Sequence, residues 1–361
     1  MSTNPPSNPG RHRGVEHTAS DPSEPSTGPI DSRFTARAAG LGGRHDGIAP
    51  AANELGLQRR SGVTPHRGWR KLLHRFTGGL LNPGESSARV NEQALVERIN
   101  APVRGSYSIA VLSLKGGVGK TTTTVCLGTT FASLRGDRVI AVDANPDFGT
   151  LAQRGPNQTQ STVRDLMADG ELMRYSDIRR HTSQSSSRLE FVASERDPAI
   201  SESFSEEDYR VVHDILDRFY NIILTDCGTG LTHSAMRGVL DTADALVVVA
   251  SPAIDSARSA LATLDWLHYH GYAELVARAT VVLSSARPGG VPIDLDQLSR
   301  HFESRVRSVF AVPYDQHLAE GGEIVQSAMN EKTRQQYMNV AASMADAFGH
   351  KRHRADGLMP R

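Results

Sequence analysis

The sequence predicts an α/β fold in which a mostly parallel, doubly wound sheet carries helices on both faces, preceded by a disordered N-terminal arm. From residue 106 onward, short apolar runs rich in β-branched residues alternate with helical patterns. Nearly continuous apolar strands separated by helices are typical of parallel sheets that are covered on both faces. A glycine-rich stretch lies between the strand at 106–114 and the helix that follows it, and its small residues leave the backbone N–H groups accessible to a ligand. The first 65 residues show no sustained apolar periodicity, which separates them from this domain.

The N-terminal arm, residues 1–65, is rich in Pro, Ser, Gly and Arg. A segment of this composition buries too little apolar surface to offset its chain entropy, so we expect it to be disordered.

A short basic helix is predicted within residues 66–105, which end in a linker. In the stretch RGWRKLLHRF, Trp69, Leu72 and Phe76 lie on one helical face, and basic residues occupy other positions. Such a helix suits an anionic membrane surface or a partner protein, for which we consider residues 66–82. Packing on the chain's own globular domain is the alternative.

Residues 106–349 are predicted to form the globular domain, and residues 350–361 a short basic tail. The predicted strands are 106–114, 137–144, 188–194, 221–228, 244–251, 278–285 and 308–315. The predicted helices are 87–99, 121–134, 162–169, 205–220, 256–270, 293–305 and 331–348.

Charge and cysteine content bear on the binding partners and the cellular compartment of the protein. Net charge is zero, with 14 Lys and Arg against 9 Asp and Glu in residues 1–105 and an acidic remainder. Strong sequence-independent nucleic-acid binding by the acidic remainder is therefore not expected. The only two cysteines lie in apolar surroundings, and no apolar run is long enough to span a bilayer. These features predict a cytoplasmic protein, or one that is peripheral at the inner face of the membrane.

The stretch KGGVGKTT, residues 115–122, carries the clearest chemistry. Glycines between a strand and a helix expose backbone N–H groups beside the positive end of the helix dipole, which favours an anion. In such loops a lysine reaches the outer phosphates and the next hydroxyl binds Mg²⁺. The residues predicted to bind a nucleotide here are Lys115, Gly116, Gly117, Val118, Gly119, Lys120, Thr121 and Thr122. Leu114 replaces the first glycine of the general pattern GxxxxGK[ST].

The extra lysine makes this stretch resemble the deviant Walker A motif of the MinD/ParA group of P-loop ATPases. The resemblance covers residues 106–349 and implies a P-loop NTPase fold, ATP and Mg²⁺ as cofactors, and a nucleotide-dependent homodimer. It also implies that Lys120 serves the phosphates of its own subunit, while Lys115 crosses the dimer interface to the partner's nucleotide.

Three further positions match catalytic landmarks of the resembled family. NIILTDCG supplies Asp226 for the Mg²⁺ shell, the contact being through water, and VDANPD supplies Asp143. The family usually has a second aspartate that orients the attacking water, but this chain has Asn145. An amide cannot take a proton from water, so we expect nucleotide binding with slow hydrolysis. Asp147 is the alternative group for this role.

The base-binding region of the family is matched in part. VPYD supplies Pro313, Tyr314 and Asp315, while Ser284 or Ser285 stands where the family commonly has an asparagine.

A narrower resemblance links the GWRK helix, RGSYSIAVLSLKGG and RFYNIILTDCGTG to the MinD-like ATPases encoded with actinobacterial type VII (ESX) secretion systems. It implies a dimerising switch ATPase that acts as an accessory or regulator of a membrane-associated secretion machine. The alternatives are a non-hydrolysing nucleotide-gated adaptor and a ParA-type DNA-partitioning or MinD-type cell-division ATPase.

Overall fold

The computed structural model describes residues 87–145, 149–170, 172–195, 203–289 and 294–349. The predicted arm, the basic helix within 66–82 and the tail at 350–361 lie outside these ranges, as does Asp147. The described residues form one eight-stranded sheet with helices on both faces, which confirms the predicted fold class.

The strands are ordered β3-β4-β2-β5-β1-β6-β7-β8 across the sheet, and every neighbouring pair is parallel except β3 with β4. Their bounds are β1 Tyr107–Leu112, β2 Val139–Ala144, β3 Ser183–Gln184, β4 Glu190–Val192, β5 Ile222–Cys227, β6 Ala245–Ala250, β7 Thr280–Ser284 and β8 Ser308–Val312. The chain leaves β1 toward one edge and later returns to its other side at β6. The crevice at the carboxyl end of β1 is therefore the place where α/β sheets bind ligands.

The helices cover both faces of this sheet. Their bounds are α1 Ser87–Ile99, α2 Lys120–Leu134, α3 Val163–Ala168, α4 Tyr175–Ile178, α5 Glu206–Asp217, α6 Ser234–Thr242, α7 Ile254–Tyr269, α8 Ala273–Arg278, α9 Leu295–Glu303, α10 Gln316–Ala319 and α11 Glu331–Ala345. Short 3₁₀ helices occupy Leu151–Arg154, Arg179–His181 and Gln326–Ala328.

Two hydrophobic cores explain why the strands are apolar throughout. Along β1, Ala110 and Leu112 pack into the core beneath α5, α6 and α7, whereas Ile109 and Val111 pack into the core beneath α2 and α11. Successive side chains of a strand point to opposite faces, so a strand covered on both faces keeps no polar side.

Helix α5 begins with a capping box at Ser205. The backbone N–H of Asp208 donates to Ser205 Oγ at 3.1 Å, and the backbone N–H of Ser205 donates to Asp208 Oδ2 at 2.9 Å. Other predicted elements are also present, usually one to three residues shorter at the ends. Strand β8 ends before Pro313, because proline has no N–H with which to continue the ladder. The prediction missed α4, α6, α8, α10 and the antiparallel edge strand β3.

Helix α1 belongs to the packed body rather than to a linker. Leu95 and Ile99 are buried in the same core as α2 and α11. Arg98 forms two hydrogen bonds with Asp346, at 3.1 and 2.7 Å. Arg135 donates to the carbonyl of Ile99, the last residue of α1, and to that of Ala101 just beyond it. The packed structure therefore begins before the predicted boundary at residue 105.

Truncation of Ile99 tests this packing. Because its side chain is fully buried between α1 and the core, Ile99→Ala should lower the free energy of unfolding by about 2–5 kcal/mol. Urea denaturation of the full chain measures the effect. Val90→Ala, on the same helix but 54% exposed, is the control and should change stability by less than about 0.5 kcal/mol. Equal effects of the two substitutions would contradict the packing of α1.

Candidate functional site

The candidate site is a cavity of about 430 Å³ at the carboxyl end of β1. Its lining residues come from the glycine loop, the ends of β2 and β5, and the segments after β7 and β8. They are Lys115, Gly116, Gly117, Gly119, Lys120, Thr121, Thr122, Asn145, Thr150, Arg154, Thr229, Ser284, Ser285, Ala286, Val312, Pro313, Asp315, Leu318 and Ala319. The site thus forms at the position that the sheet order favours for a ligand.

The glycine loop is shaped by two left-handed residues. Gly117 has φ +73° and Gly119 has φ +94°, a region that residues with a Cβ rarely adopt. A Cβ on Gly119 would also lie 3.0 Å from Ser284 Oγ. Gly119 precedes the 15-residue helix α2 and provides no side-chain cap. The N–H groups at the start of α2 therefore stay available to an anion in the cavity.

Lys120, Thr121 and Asp226 form one contact group at the bottom of the cavity. Lys120 Nζ lies 2.8 Å from Asp226 Oδ1, and Thr121 Oγ1 donates to Asp226 Oδ2 at 2.6 Å. Asp226 is 1% exposed. Burial opposes the charged form of Lys120, but the Asp226 carboxylate outweighs it, so the pKa of Lys120 is raised. The geometry brings together the three groups that the sequence assigned to phosphate and Mg²⁺.

Asp143 lies on β2 beside Asp226 on β5, with the two residues paired in register. Burial, and then the neighbouring Asp226 carboxylate, raise the pKa of Asp143 well above the ordinary aspartate value. Backbone N–H groups of Asn145 and Leu151 each donate to Asp143 at 3.1 Å. Asp143 therefore fixes both ends of the segment that follows β2.

The segment after β2 approaches Asp143 very closely at Gly149. A Cβ on Gly149 would lie 1.8 Å from Ser194 Oγ and 2.3 Å from Asp143 Oδ2. Only glycine fits here without displacing the segment. Asn145 also lines the main cavity, and it borders a small cavity shared with Arg164 and Glu195.

Lys115 contacts a carboxylate of its own chain. Its ammonium forms an ion pair with Asp255, in the first turn of α7, and the hydrogen bond from Lys115 lowers the pKa of Asp255. Both side chains remain substantially exposed. Ile254 beside them is 63% exposed. The lysine predicted to reach a second subunit thus lies at the protein surface, held by a weak exposed pair.

The predicted base-binding residues are brought together only in part. Ser284 and Pro313 line the cavity, but Tyr314 does not. Of the residues predicted in the glycine loop, Val118 is buried and is not among the lining residues. Asp315 is a lining residue whose carboxylate is already used. It accepts backbone N–H groups of His317 at 3.0 Å, Leu318 at 3.4 Å and Asn330 at 2.8 Å. Its oxygens cap α10 and hold the following loop, and its contact with a nucleotide base stays a prediction.

Among the polar residues at or beside the cavity, four were not predicted from the sequence: Thr150, Arg154, Thr229 and Asp255. Thr229 directly follows the TDCG stretch and its place beside the cavity was open to prediction. Thr150 precedes the short 3₁₀ helix after β2, Arg154 ends it, and Asp255 lies in the first turn of α7. None of them belongs to a sequence motif that indicates a ligand. No helix among the described residues is long and apolar enough to cross a lipid bilayer.

Comparison with known proteins agrees with this geometry. A family profile described as "AAA domain" matches residues 106–267. The ESX-1 secretion-associated protein EspI of Mycobacterium tuberculosis is 40% identical over 288 residues, which are 79% of this chain and 43% of EspI. The chain thus spans less than half the length of this curated relative.

Two solved structures share the fold. A ParA family ATPase from Chlorobium tepidum aligns with TM-score 0.55 and 19% identity, over 66% of this chain and 98% of that one. MinD from Pyrococcus horikoshii, solved with Mg-ADP, aligns with TM-score 0.53 and 20% identity, over 65% and 94% of the two chains.

Proposed function

Because this chain is a MinD/ParA-like P-loop ATPase in fold and in sequence, we propose that it binds MgATP in the cavity at the end of β1 and that the bound nucleotide controls its dimerisation. The observation that carries this proposal is the Lys120–Thr121–Asp226 group at the base of a cavity that the glycines of the loop also line. Phosphate oxygens would accept from the N–H groups of the glycine loop and pair with Lys120, while Thr121 and Asp226 suit Mg²⁺.

The contacts of Asp226 indicate how the site would receive its ligand. A phosphate group would replace Asp226 as the partner of Lys120, and Thr121 and Asp226 would then hold the Mg²⁺ shell. Mg²⁺ would neutralise phosphate charge when bound. Thr124 Oγ1 lies 3.3 Å from Asp226 Oδ1 and keeps that carboxylate oriented. Asp143 anchors the segment that presents Asn145 to the cavity.

The surface position of Lys115 supports the proposed dimerisation. Its pair with Asp255 is exposed, so exchanging it for a phosphate of a second subunit costs little. The γ-phosphate of ATP would contact Lys115 of the second subunit in the dimer but not in the monomer, and this difference would favour the dimer. The equilibrium between monomer and dimer is then set by which nucleotide is bound.

The cellular role rests on the similarity to the ESX-1 secretion-associated protein. We propose an accessory or regulatory role at a type VII-like secretion machine, in the cytoplasm or at the inner face of the membrane, with residues 66–82 as the contact segment. Liposome flotation of the full chain and of a chain lacking residues 1–82 tests the membrane contact. Equal flotation of both would eliminate residues 66–82 as that contact.

Nucleotide binding is tested by titrating MgATP into the folded full chain in a calorimeter. We expect saturable binding heat, and its absence would overturn the proposal. Size-exclusion chromatography with light scattering, on the chain alone, with MgADP and with a non-hydrolysable MgATP analogue, should show a dimer only with the analogue.

Hydrolysis should be limited by Asn145. Asn145→Asp restores a carboxylate that can orient and deprotonate water, so we expect ATP turnover to rise at least about tenfold. Steady-state phosphate release on both proteins measures this, with Asn145→Ala as the control that removes the side chain without adding charge. An aspartate variant no faster than wild type would refute the assignment of Asn145.

The second candidate function is a non-hydrolysing nucleotide-gated adaptor. The side-chain amide of Asn145 favours it, because an amide cannot take a proton from water. The adaptor function predicts dimers with MgATP itself that persist for hours, because no phosphate is released. Light scattering over time after MgATP addition separates the two functions: dimers that decay as phosphate appears support the switch ATPase.

A further inference from the structure

Arg154 is a third cation of the cavity, and it differs from the two lysines. It is the last residue of the 3₁₀ helix after β2, and its side chain lines the same cavity as the glycine loop. Both lysines of the cavity are paired with carboxylates, Asp226 and Asp255. The Arg154 Nη1 atom is buried, and it has no hydrogen-bond partner within the described part of the chain.

A buried donor of a charged group that lacks an acceptor carries an uncompensated desolvation penalty. Burial lowers the pKa of Arg154 below the ordinary arginine value, and the Asp226 carboxylate only partly opposes this. The guanidinium nevertheless stays protonated, because arginine does not lose its proton in proteins. An anion in the cavity would remove the penalty by accepting from Nη1.

The backbone around Arg154 is fixed from two sides. Leu151 N–H donates to Asp143 Oδ2 at 3.1 Å, which ties the start of the 3₁₀ helix to the end of β2. Ile324 N–H donates to the Arg154 carbonyl at 3.0 Å, which ties its end to the loop after α10. The guanidinium packs against that loop, since a Cβ on Gly321 would lie 3.8 Å from Nη1. The charge is thus held in place before any ligand arrives.

We propose that Arg154 binds the phosphate chain of the nucleotide, in addition to the glycine loop and Lys120. This inference deepens the proposed function and rests on it. The planar guanidinium presents paired N–H donors that match phosphate oxygens. Arg154 belongs to the 3₁₀ helix after β2 and contacts the loop after α10, so it would add a phosphate contact from an element other than the glycine loop.

The test compares wild type, Arg154→Gln and Arg154→Lys in competition against a fluorescent ADP. MgADP and magnesium pyrophosphate, which has phosphates but no base or ribose, are the two competitors. Arg154→Gln should weaken both by about 10- to 100-fold, the loss expected for a hydrogen bond to a charged group. Arg154→Lys should recover part of this, and Gln153→Ala, an exposed neighbour on the same 3₁₀ helix, should change neither.

A readout without ligand separates binding from folding. Since the glutamine variant removes an unpaired buried charge, its melting temperature without nucleotide should equal or exceed that of wild type. Unchanged affinity for both competitors, a loss confined to MgADP, or a drop in the ligand-free melting temperature would each overturn the role of Arg154. Wild type that fails to bind MgADP at all would overturn the proposed function together with this inference.

Discussion

Lys120→Met should weaken MgATP binding by at least about 100-fold, because it removes the cation at the base of the cavity that pairs with the outer phosphates. In the protein alone this lysine lies 2.8 Å from Asp226, which is 1% exposed. Calorimetric titration of MgATP into both proteins measures the loss. The control Lys332→Met changes an exposed lysine of α11 and should leave the affinity unchanged.

The same substitution should also destabilise the protein without nucleotide. Removing one partner of a buried ion pair leaves the other charge uncompensated, at a cost of about 3–5 kcal/mol. Burial and Asp226 raise the pKa of Asp143, and Lys120 opposes that rise. Without Lys120 the folded state binds protons more tightly than the unfolded state, so stability falls as the pH rises above about 4.

The stability deficit of Lys120→Met relative to wild type should therefore be largest at neutral pH and shrink on acidification. Urea denaturation at several pH values between about 4 and 8 measures it. A methionine variant that binds MgATP as wild type does would contradict the assignment of the cavity as the phosphate site. A deficit that grows on acidification would contradict the electrostatic account of Lys120, Asp143 and Asp226.

Lys115→Ala should abolish nucleotide-dependent dimerisation while leaving MgATP affinity within about threefold of wild type. Among the described residues the Lys115 ammonium pairs with Asp255 alone, in an exposed contact, so its removal should leave the stability of the monomer nearly unchanged. Light scattering with the non-hydrolysable MgATP analogue should give a monomer mass for the variant and a dimer mass for wild type.

Asp255→Ala is the matched variant for this experiment. It removes the carboxylate that holds Lys115 within its own subunit, so the dimer should form at the same or a lower protein concentration than in wild type. Dimerisation of Lys115→Ala at wild-type concentrations would show that this lysine does not join the subunits. Reduced dimerisation of Asp255→Ala would show instead that the pair with Asp255 belongs to the dimer.

The predictable part of the site is the part encoded in contiguous residues. The glycine loop lies between β1 and α2, so its φ angles, its exposed N–H groups and the positions of Lys120 and Thr121 follow from one stretch. Asp226 was predicted because an apolar strand that ends in aspartate is also a local pattern. Its contact with Lys120 then follows from the parallel pairing of β1 with β5.

Other features of the site depend on residues far apart in the chain. Lys115 and Asp255 are 140 positions apart, and no local pattern indicates that the start of α7 meets the glycine loop. The second contact of the Asp315 carboxylate, which accepts from the Asn330 N–H, joins residues 15 positions apart. The packing of α1 on α11 likewise joins the two ends of the described chain.

The sequence by itself determined the class of fold, the positions of its main strands along the chain and the expected phosphate-binding character of residues 115–122, because hydrophobic period and glycine conformation are local properties. Only the tertiary structure decided which charges are neutralised within the chain and that Arg154 Nη1 has no partner among the described residues. Pairing of charges depends on crossovers that bring distant segments to one sheet edge, and burial depends on everything packed around them. Arg154 illustrates the difference, since its sequence surroundings carry no pattern and its significance comes from an unsatisfied nitrogen inside the cavity.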